Sequence, residues 1–271
     1  MTRFLITGAT GNLGAAALHH LLDRVPADEV SVLIRGPEDA ARFRARSIEP
    51  RRGDYSDPAS LATAFSGVDR LLFVSSPVLD PVVRSEQHRA VVGAAIAAGV
   101  EHVVYTSAMG AAHDPGHSAA ETALREWSGS STVLRNGLYT DAFVARALQD
   151  VDTAGVVRSA SNGSPIATAA VADLAEAAAG ALVDPPSRQL WELRGPAWTF
   201  DDLAEACTTL LGRPIGHDLV DDAWTGPFAV LFPLVRRGVF AAETDDLRVL
   251  LGREPLSIGD VVRRALDARA G

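Results

Sequence analysis

The 271-residue chain is 47% hydrophobic and carries a formal net charge of −9, with a sequence pI near 5.2. The length suits one large α/β domain or two smaller units, and the apolar fraction is enough for a substantial core. The acidic balance speaks against a nucleic-acid partner, because phosphate backbones are held by clustered cations. All 25 basic residues are arginine, so there is no lysine to form a Schiff base, donate a proton or pair with a phosphate. The single cysteine, Cys207, excludes an intramolecular disulfide and a cysteine-rich metal site. Its apolar helical surroundings suit a small buried hydrophobe. No apolar run reaches membrane-spanning length, and the strand pattern starts at once without a secretory leader, so the expected compartment is the cytoplasm.

The first stretch, "FLITGATGNLGAAALHHLL" (Phe4–Leu22), runs from an apolar strand through a glycine turn into a helix. Gly8, Gly11 and Gly14 have the G-x-x-G-x-x-G spacing that holds a dinucleotide. The first permits a tight turn, the second a close approach of backbone to pyrophosphate, the third close helix–strand packing. The amides of the first helical turn, at Asn12, Leu13 and Gly14, face the phosphate, and the helix dipole favours its charge. Thr10 and Asn12 can add side-chain hydrogen bonds. The second strand, Val30–Arg35, ends on Arg35 where an NAD-specific site usually carries an acid for the ribose 2′-hydroxyl. A guanidinium pairs with a 2′-phosphate, so NADP(H) is favoured over NAD(H), with Glu38 and Asp39 acting against it.

Further strands are expected at Ile48–Arg52, Leu71–Ser75, His102–Ser107 and Thr132–Arg135. Helices are expected at Pro58–Phe65, with Asp57 as N-cap, at about Val82–Ala98 and at about Ser118–Trp127. "GDYSD" offers Asp54 to the adenine amino group and Tyr55 to its ring. "FVSSP" puts Ser75 and Ser76 near the nicotinamide ribose, and Thr106 ends the next strand on the same side. This alternation predicts a doubly wound parallel sheet in the order 3-2-1-4-5-6. The second half differs: an alanine-rich helix at Val171–Leu182, a strand in Leu190–Gly195, and helix starts capped by Thr199 with Asp202 and by Ser257 with Asp260. The apolar segment Trp224–Phe240 reads either as a wall or lid over a pocket or as ordinary helical packing. The expected division is a dinucleotide-binding domain over 1–155 and a smaller mixed α/β substrate part over 156–271, with residues 171–194 returning to the first sheet.

The motifs "ITGATGNLG", "GDYSDPASL", "YTSA", "LRNGLY", "VADLA" and "LLGREP" resemble the NmrA-like branch of atypical short-chain dehydrogenases, near its quinone-reductase members. The resemblance extends over nearly the whole chain. It implies a Rossmann domain with a C-terminal substrate part, and a family that includes both reductases and NADP-binding regulators. The superfamily's Tyr-x-x-x-Lys pair cannot exist here. His117 and Glu121 stand at those positions, as in the quinone-reductase-like branch, and Ser107 corresponds to the serine of the fifth strand.

Four residues apart on one helix, His117 and Glu121 share a face. His117 is expected to supply a proton or contact the acceptor, titrating near neutrality with Glu121 orienting it; the plain alternative is a solvated helix surface. Asn136 and Tyr139 lie beyond the sixth strand, where they can bind substrate oxygen or serve as turn residues. His19, His20, His88 and His217 show no metal-ligand spacing, and no metal is expected. Quinone reduction needs no strong acid, because the product is a phenolate-like anion. The leading expectation is therefore NADPH-dependent hydride transfer to a quinone or activated aromatic carbonyl, by a monomer or homodimer. Alternatives are a non-catalytic NADP(H) sensor acting through a protein partner, and an isomerase with tightly held cofactor.

Overall fold

The computed structural model describes residues 1–221 and 230–270. In chain order the elements are β1 (Phe4–Ile6), α1 (Asn12–Leu22), β2 (Val30–Ile34), α2 (Ala40–Arg44), β3 (Glu49–Arg52), α3 (Pro58–Ala64), β4 (Arg70–Val74), α4 (Pro81–Ala97), β5 (His102–Ala108), α5 (Pro115–Glu126) and β6 (Ser130–Asn136). They continue as α6 (Thr140–Ala154), β7 (Val156–Ser159), β8 (Ile166–Ala167), α7 (Val171–Val183), β9 (Leu190–Leu193), β10 (Ala197–Trp198), α8 (Phe200–Leu211), β11 (Gly216–Leu219), α9 (Phe232–Arg236), α10 (Asp246–Leu251) and α11 (Ile258–Ala270). Two compact units result: Met1–Asn136 with Leu174–Glu192, and Gly137–Asp173 with Leu193–Gly271.

The first unit is built on a sheet of order β3-β2-β1-β4-β5-β6-β9. The anticipated order 3-2-1-4-5-6 is present, with β9 added beyond β6. Central β1 places Leu5 opposite Ser31 on one side and Leu71 on the other, all in parallel register. Every residue of β1 and β2 is buried, as expected of parallel strands covered on both faces. By contrast β3 contains Pro50 and three charged residues, a composition suited to a sheet edge. Leu61, Phe65, Phe73, Val91, Val92, Tyr105 and Leu124 belong to one core cluster, which joins α3, α4 and α5 to the strands beneath.

Three Asp-Pro pairs start helices α3, α4 and α5 of this unit. Asp57 accepts hydrogen bonds from the Ala59 and Ser60 amides, Asp80 from Val82 and Val83, and Asp114 from His117. Proline follows each cap at a position whose N–H would be unbonded in any case. This places the starts of α4 and α5 at Pro81 and Pro115, earlier than hydrophobic periodicity alone sets them.

In the second unit β7 pairs in parallel with β11, and β8 pairs antiparallel with β10. Thr199 and Asp202 form the expected capping box at α8, and Ser257 and Asp260 exchange the same bonds before α11. Phe143, Trp198, Phe200 and Cys207 are buried in its core. Asp173, fully buried, accepts from Arg253 at 2.8 Å and from the Leu256 amide at 2.7 Å. Of the apolar segment Trp224–Phe240, residues 222–229 lie outside the described residues. In its described part Phe232, Val235 and Phe240 are buried.

Candidate cofactor and active site

The glycine turn between β1 and α1 has the geometry of a phosphate cradle. Gly8 has φ +64°, a left-handed conformation that favours glycine. A Cβ on Gly14 would lie 2.2 Å from the Gly8 carbonyl oxygen, so no side chain fits there. Gly11 caps α1 without any side-chain cap bond. The amides of the first turn are thus left to an outside acceptor, and Thr10 and Asn12 beside them are exposed. Leu13, by contrast, is buried and anchors the helix. The cradle fits a dinucleotide pyrophosphate.

Around it lie the other residues expected to touch cofactor. Arg35 is exposed at the end of β2. The Glu38 carboxylate lies over the next residue: a Cβ on Gly36 would meet its Oε2 at 2.0 Å. One oxygen of Asp54 accepts from the Ser56 amide at 2.8 Å. Tyr55, expected to offer its ring to adenine, is half-buried. Its hydroxyl points inward, donating to the Val74 carbonyl at 2.7 Å and lying 2.5 Å from Thr7 Oγ1, and its ring packs edge-on against Phe73. Desolvation by burial raises its pKa well above the ordinary phenol value. Tyr55 therefore ties the loop after β3 to the ends of β1 and β4. Ser76 is likewise turned inward: it is 3% exposed, and its hydroxyl donates to Gln87 Oε1 at 2.5 Å. The Ser75 amide donates to Thr106 Oγ1 at 3.1 Å.

Under β5 the structure joins α4 to α5 through buried polar groups. Arg84 donates to Asp114 Oδ2 at 2.8 Å and contacts His117 Nε2 at 2.8 Å; Tyr105 Oη lies 2.6 Å from His117 Nδ1. Because arginine is always a donor, His117 must accept at Nε2 and carry its proton on Nδ1, directed at Tyr105. His88 has the same tautomer, since its Nε2 accepts from the Ser76 amide and its Nδ1 faces the Gly116 carbonyl at 2.9 Å. Desolvation, then the Arg84 charge, lower His117 to about 4. Desolvation lowers His88 to about 4 as well. Two expectations are corrected here. His117 is neither a solvated surface residue nor an imidazole titrating near neutrality, because it is 3% exposed and faces a guanidinium.

The second correction concerns Glu121, which pairs elsewhere. It accepts from Ser107 Oγ at 2.6 Å and, through both oxygens, from Arg135 at 2.9 and 2.7 Å. Arg135 also reaches Glu192 at 2.9 Å. Burial alone would raise Glu121, but the bonds from Arg135 and Ser107 outweigh it and hold the carboxyl below its ordinary range. Arg84, His88, Tyr105 and Arg135 were not singled out from sequence. The signal was present: Val103, Tyr105 and Ser107 alternate onto one face of β5, and a buried phenol there needs a polar partner.

Asn136 ends β6, 5% exposed, with its Oδ1 buried and without a protein partner. Tyr139, in the second unit, precedes α6 and is 37% exposed. That unit also contains a chain of contacts from Asp201 to His217 (2.8 Å), His217 to Ser159 (2.8 Å) and Ser159 to Ser161 (2.9 Å). It resembles a hydrolytic triad in connectivity only. The serine is 0% exposed while the Asp201 side chain is 73% exposed, the reverse of what an attacking hydroxyl requires. Among the described residues no group of histidine, cysteine, aspartate and glutamate is arranged to hold a metal ion, and no helix is long and apolar enough to cross a membrane.

Known proteins share this architecture and sequence. A family model described as NAD(P)H-binding matches residues 8–185. Quinone oxidoreductase 2 of Escherichia coli is 36% identical over 225 residues, 80% of this chain and 78% of that protein. The structure of Citrobacter sp. triphenylmethane reductase complexed with NADP(H) superimposes with a TM-score of 0.88 at 32% identity, covering 97% of this chain and 99% of that one. NADPH-dependent quinone oxidoreductase 2 of Escherichia coli, complexed with NADPH, gives 0.85 at 30% identity, covering 97% and 99%. With the glycine cradle, the strand order and these likenesses together, the chain belongs to the NAD(P)H-binding family, in its NmrA-like branch of atypical short-chain reductases.

Proposed function

We propose that this protein is an NADPH-dependent oxidoreductase that passes hydride to a quinone or a comparably activated aromatic carbonyl acceptor. NADPH, when bound, supplies the hydride. Gly8, Gly11 and Gly14 with the amides of Asn12 and Leu13 hold its pyrophosphate, and Thr10 and Asn12 add side-chain bonds. Arg35 pairs with the 2′-phosphate and Asp54 receives the adenine amino group. Ser75 and Thr106 border the nicotinamide ribose, and Ser76 and Tyr55 hold the adjoining loops from beneath.

The observation that carries the choice of acceptor is the state of His117. Its Nε2 accepts from Arg84 and its Nδ1 proton faces Tyr105, so it is not a ready proton donor near neutrality. Ser107, its own proton directed at Glu121, keeps lone pairs free to accept and so orients a ligand rather than protonating it. A simple ketone becomes an alkoxide on hydride addition, and a positioned acid is then worth about 10²- to 10⁴-fold. A quinone becomes an aromatised phenolate, which water can protonate. Asn136 and Tyr139, the residues beyond the sixth strand, are assigned to acceptor oxygens on the sequence reading.

The test is NADPH consumption with a panel of quinones across pH 6–8, using cofactor deuterated at the transferred position. Turnover with deuterium delivered to the acceptor, and no inflection near the ordinary histidine pKa, is the expected result. No turnover above background, with equal affinity for oxidised and reduced cofactor, leaves the reductase reading without support.

A further inference from the structure

Gln87 projects from α4 between two loops that follow different strands. Its Nε2 donates to Ser56 Oγ at 2.9 Å, in the loop after β3. Its Oε1 accepts from Ser76 Oγ at 2.5 Å, in the loop after β4. Ser76 in turn accepts from the Val78 amide at 3.2 Å, and its own amide donates to His88 one residue along α4. The serine before the nicotinamide side and the serine beside Asp54 and Tyr55 are thus joined through one primary amide. Only a side chain with a donor and an acceptor at this length can serve both hydroxyls in the senses that Ser56 and Ser76 present here. Both loops follow the carboxyl ends of parallel strands, where ligands of such sheets bind.

We propose that Gln87 is a positioning residue that braces the adenosine-side loop against the nicotinamide-side loop, so that the two halves of the dinucleotide bind cooperatively. This rests on the cofactor reading of the glycine turn. Gln87 touches neither half itself. Its contribution is that a loop ordered by one half of the cofactor no longer has to be ordered by the other. A fragment that reaches only the adenosine-side loop gains little from the brace, whereas the whole dinucleotide gains fully.

The experiment is titration calorimetry on the full chain with NADP⁺ and with 2′,5′-ADP, which lacks the nicotinamide half. The variants are Gln87→Met, which keeps length and removes both bonds, Ser56→Ala, and the two together. With roughly one hydrogen bond's worth of ordering lost, Gln87→Met is expected to weaken NADP⁺ about fivefold to tenfold and 2′,5′-ADP less than about twofold. Ser56→Ala should reproduce the loss, and the double variant should be no worse than either single one. Unchanged NADP⁺ affinity, equal weakening of both ligands, or losses that multiply would each overturn the proposal. Deuterium exchange of the ligand-free protein judges the brace separately: the Ser75–Val78 segment should exchange faster in Gln87→Met, and unchanged exchange overturns it. If the wild-type chain binds neither nucleotide, the cofactor reading fails and the coupling fails with it, while the exchange result still decides whether the loops are braced.

Discussion

At the scale of single residues, the end of β2 sets an arginine against an acid. Arg35 is exposed and Glu38 folds back over Gly36; the proposed role of the guanidinium is to pair with the extra phosphate that separates NADPH from NADH. Arg35→Glu is expected to weaken NADPH by roughly 10- to 100-fold, the worth of a charge-assisted pair, and NADH far less. Direct titration of both cofactors checks this, and an equal loss for both would remove Arg35 from that role. The glycines were legible in the sequence because backbone geometry dictates them, and Arg35 and Asp54 were picked by their positions after strands. His117 and Glu121 were picked out by resemblance and by sharing a helix face, and their burial was not foreseen. Their partners were not legible, because Arg84 and Arg135 come from other elements, and only packing shows which guanidinium meets which group. His117→Gln is accordingly expected to leave the pH profile of turnover between 6 and 8 unchanged, whereas a general acid would take an inflection away with it.

At the scale of elements, local chemistry set most of the boundaries. Asp-Pro pairs start α3, α4 and α5, and only the first was read as a cap from sequence, because the others precede exposed or weakly periodic turns. Asp80→Ala should lower stability by about 1 kcal/mol, the usual loss for an N-cap, seen as a fall in denaturation midpoint. Gly14 tests the β1–α1 junction more severely. A methyl group 2.2 Å from the Gly8 oxygen must push α1 off the turn, so Gly14→Ala is expected to cost about 1–3 kcal/mol and to abolish NADPH binding. A Gly14→Ala protein that retains both stability and binding would show that α1 does not need this close approach. The strands themselves were easily read, since buried parallel strands are continuous apolar runs bounded by turns.

At the scale of the whole molecule, the strand order followed from β–α alternation and right-handed crossovers alone. What the sequence could not show was where polar groups would be sealed inside. His88, His102 and His117 are buried, and desolvation lowers each from 6.5 to about 4. In the unfolded chain they take up protons near 6.5, so between that value and about 4 the unfolded state binds more protons than the folded one. Stability should therefore be complete above pH 6.5 and fall as pH drops towards 4, each histidine contributing up to about 1.4 kcal/mol per pH unit in that window. Denaturation midpoints measured from pH 7.5 down to 4.5 check the sign; constant stability would contradict it. The central claim is that this fold delivers hydride to acceptors whose reduced form needs no protein acid. The most direct measurement compares NADPH oxidation by the same enzyme preparation with a quinone and with a simple aliphatic ketone of similar size. Turnover of the quinone with none of the ketone is the predicted result, and comparable rates with both would contradict it.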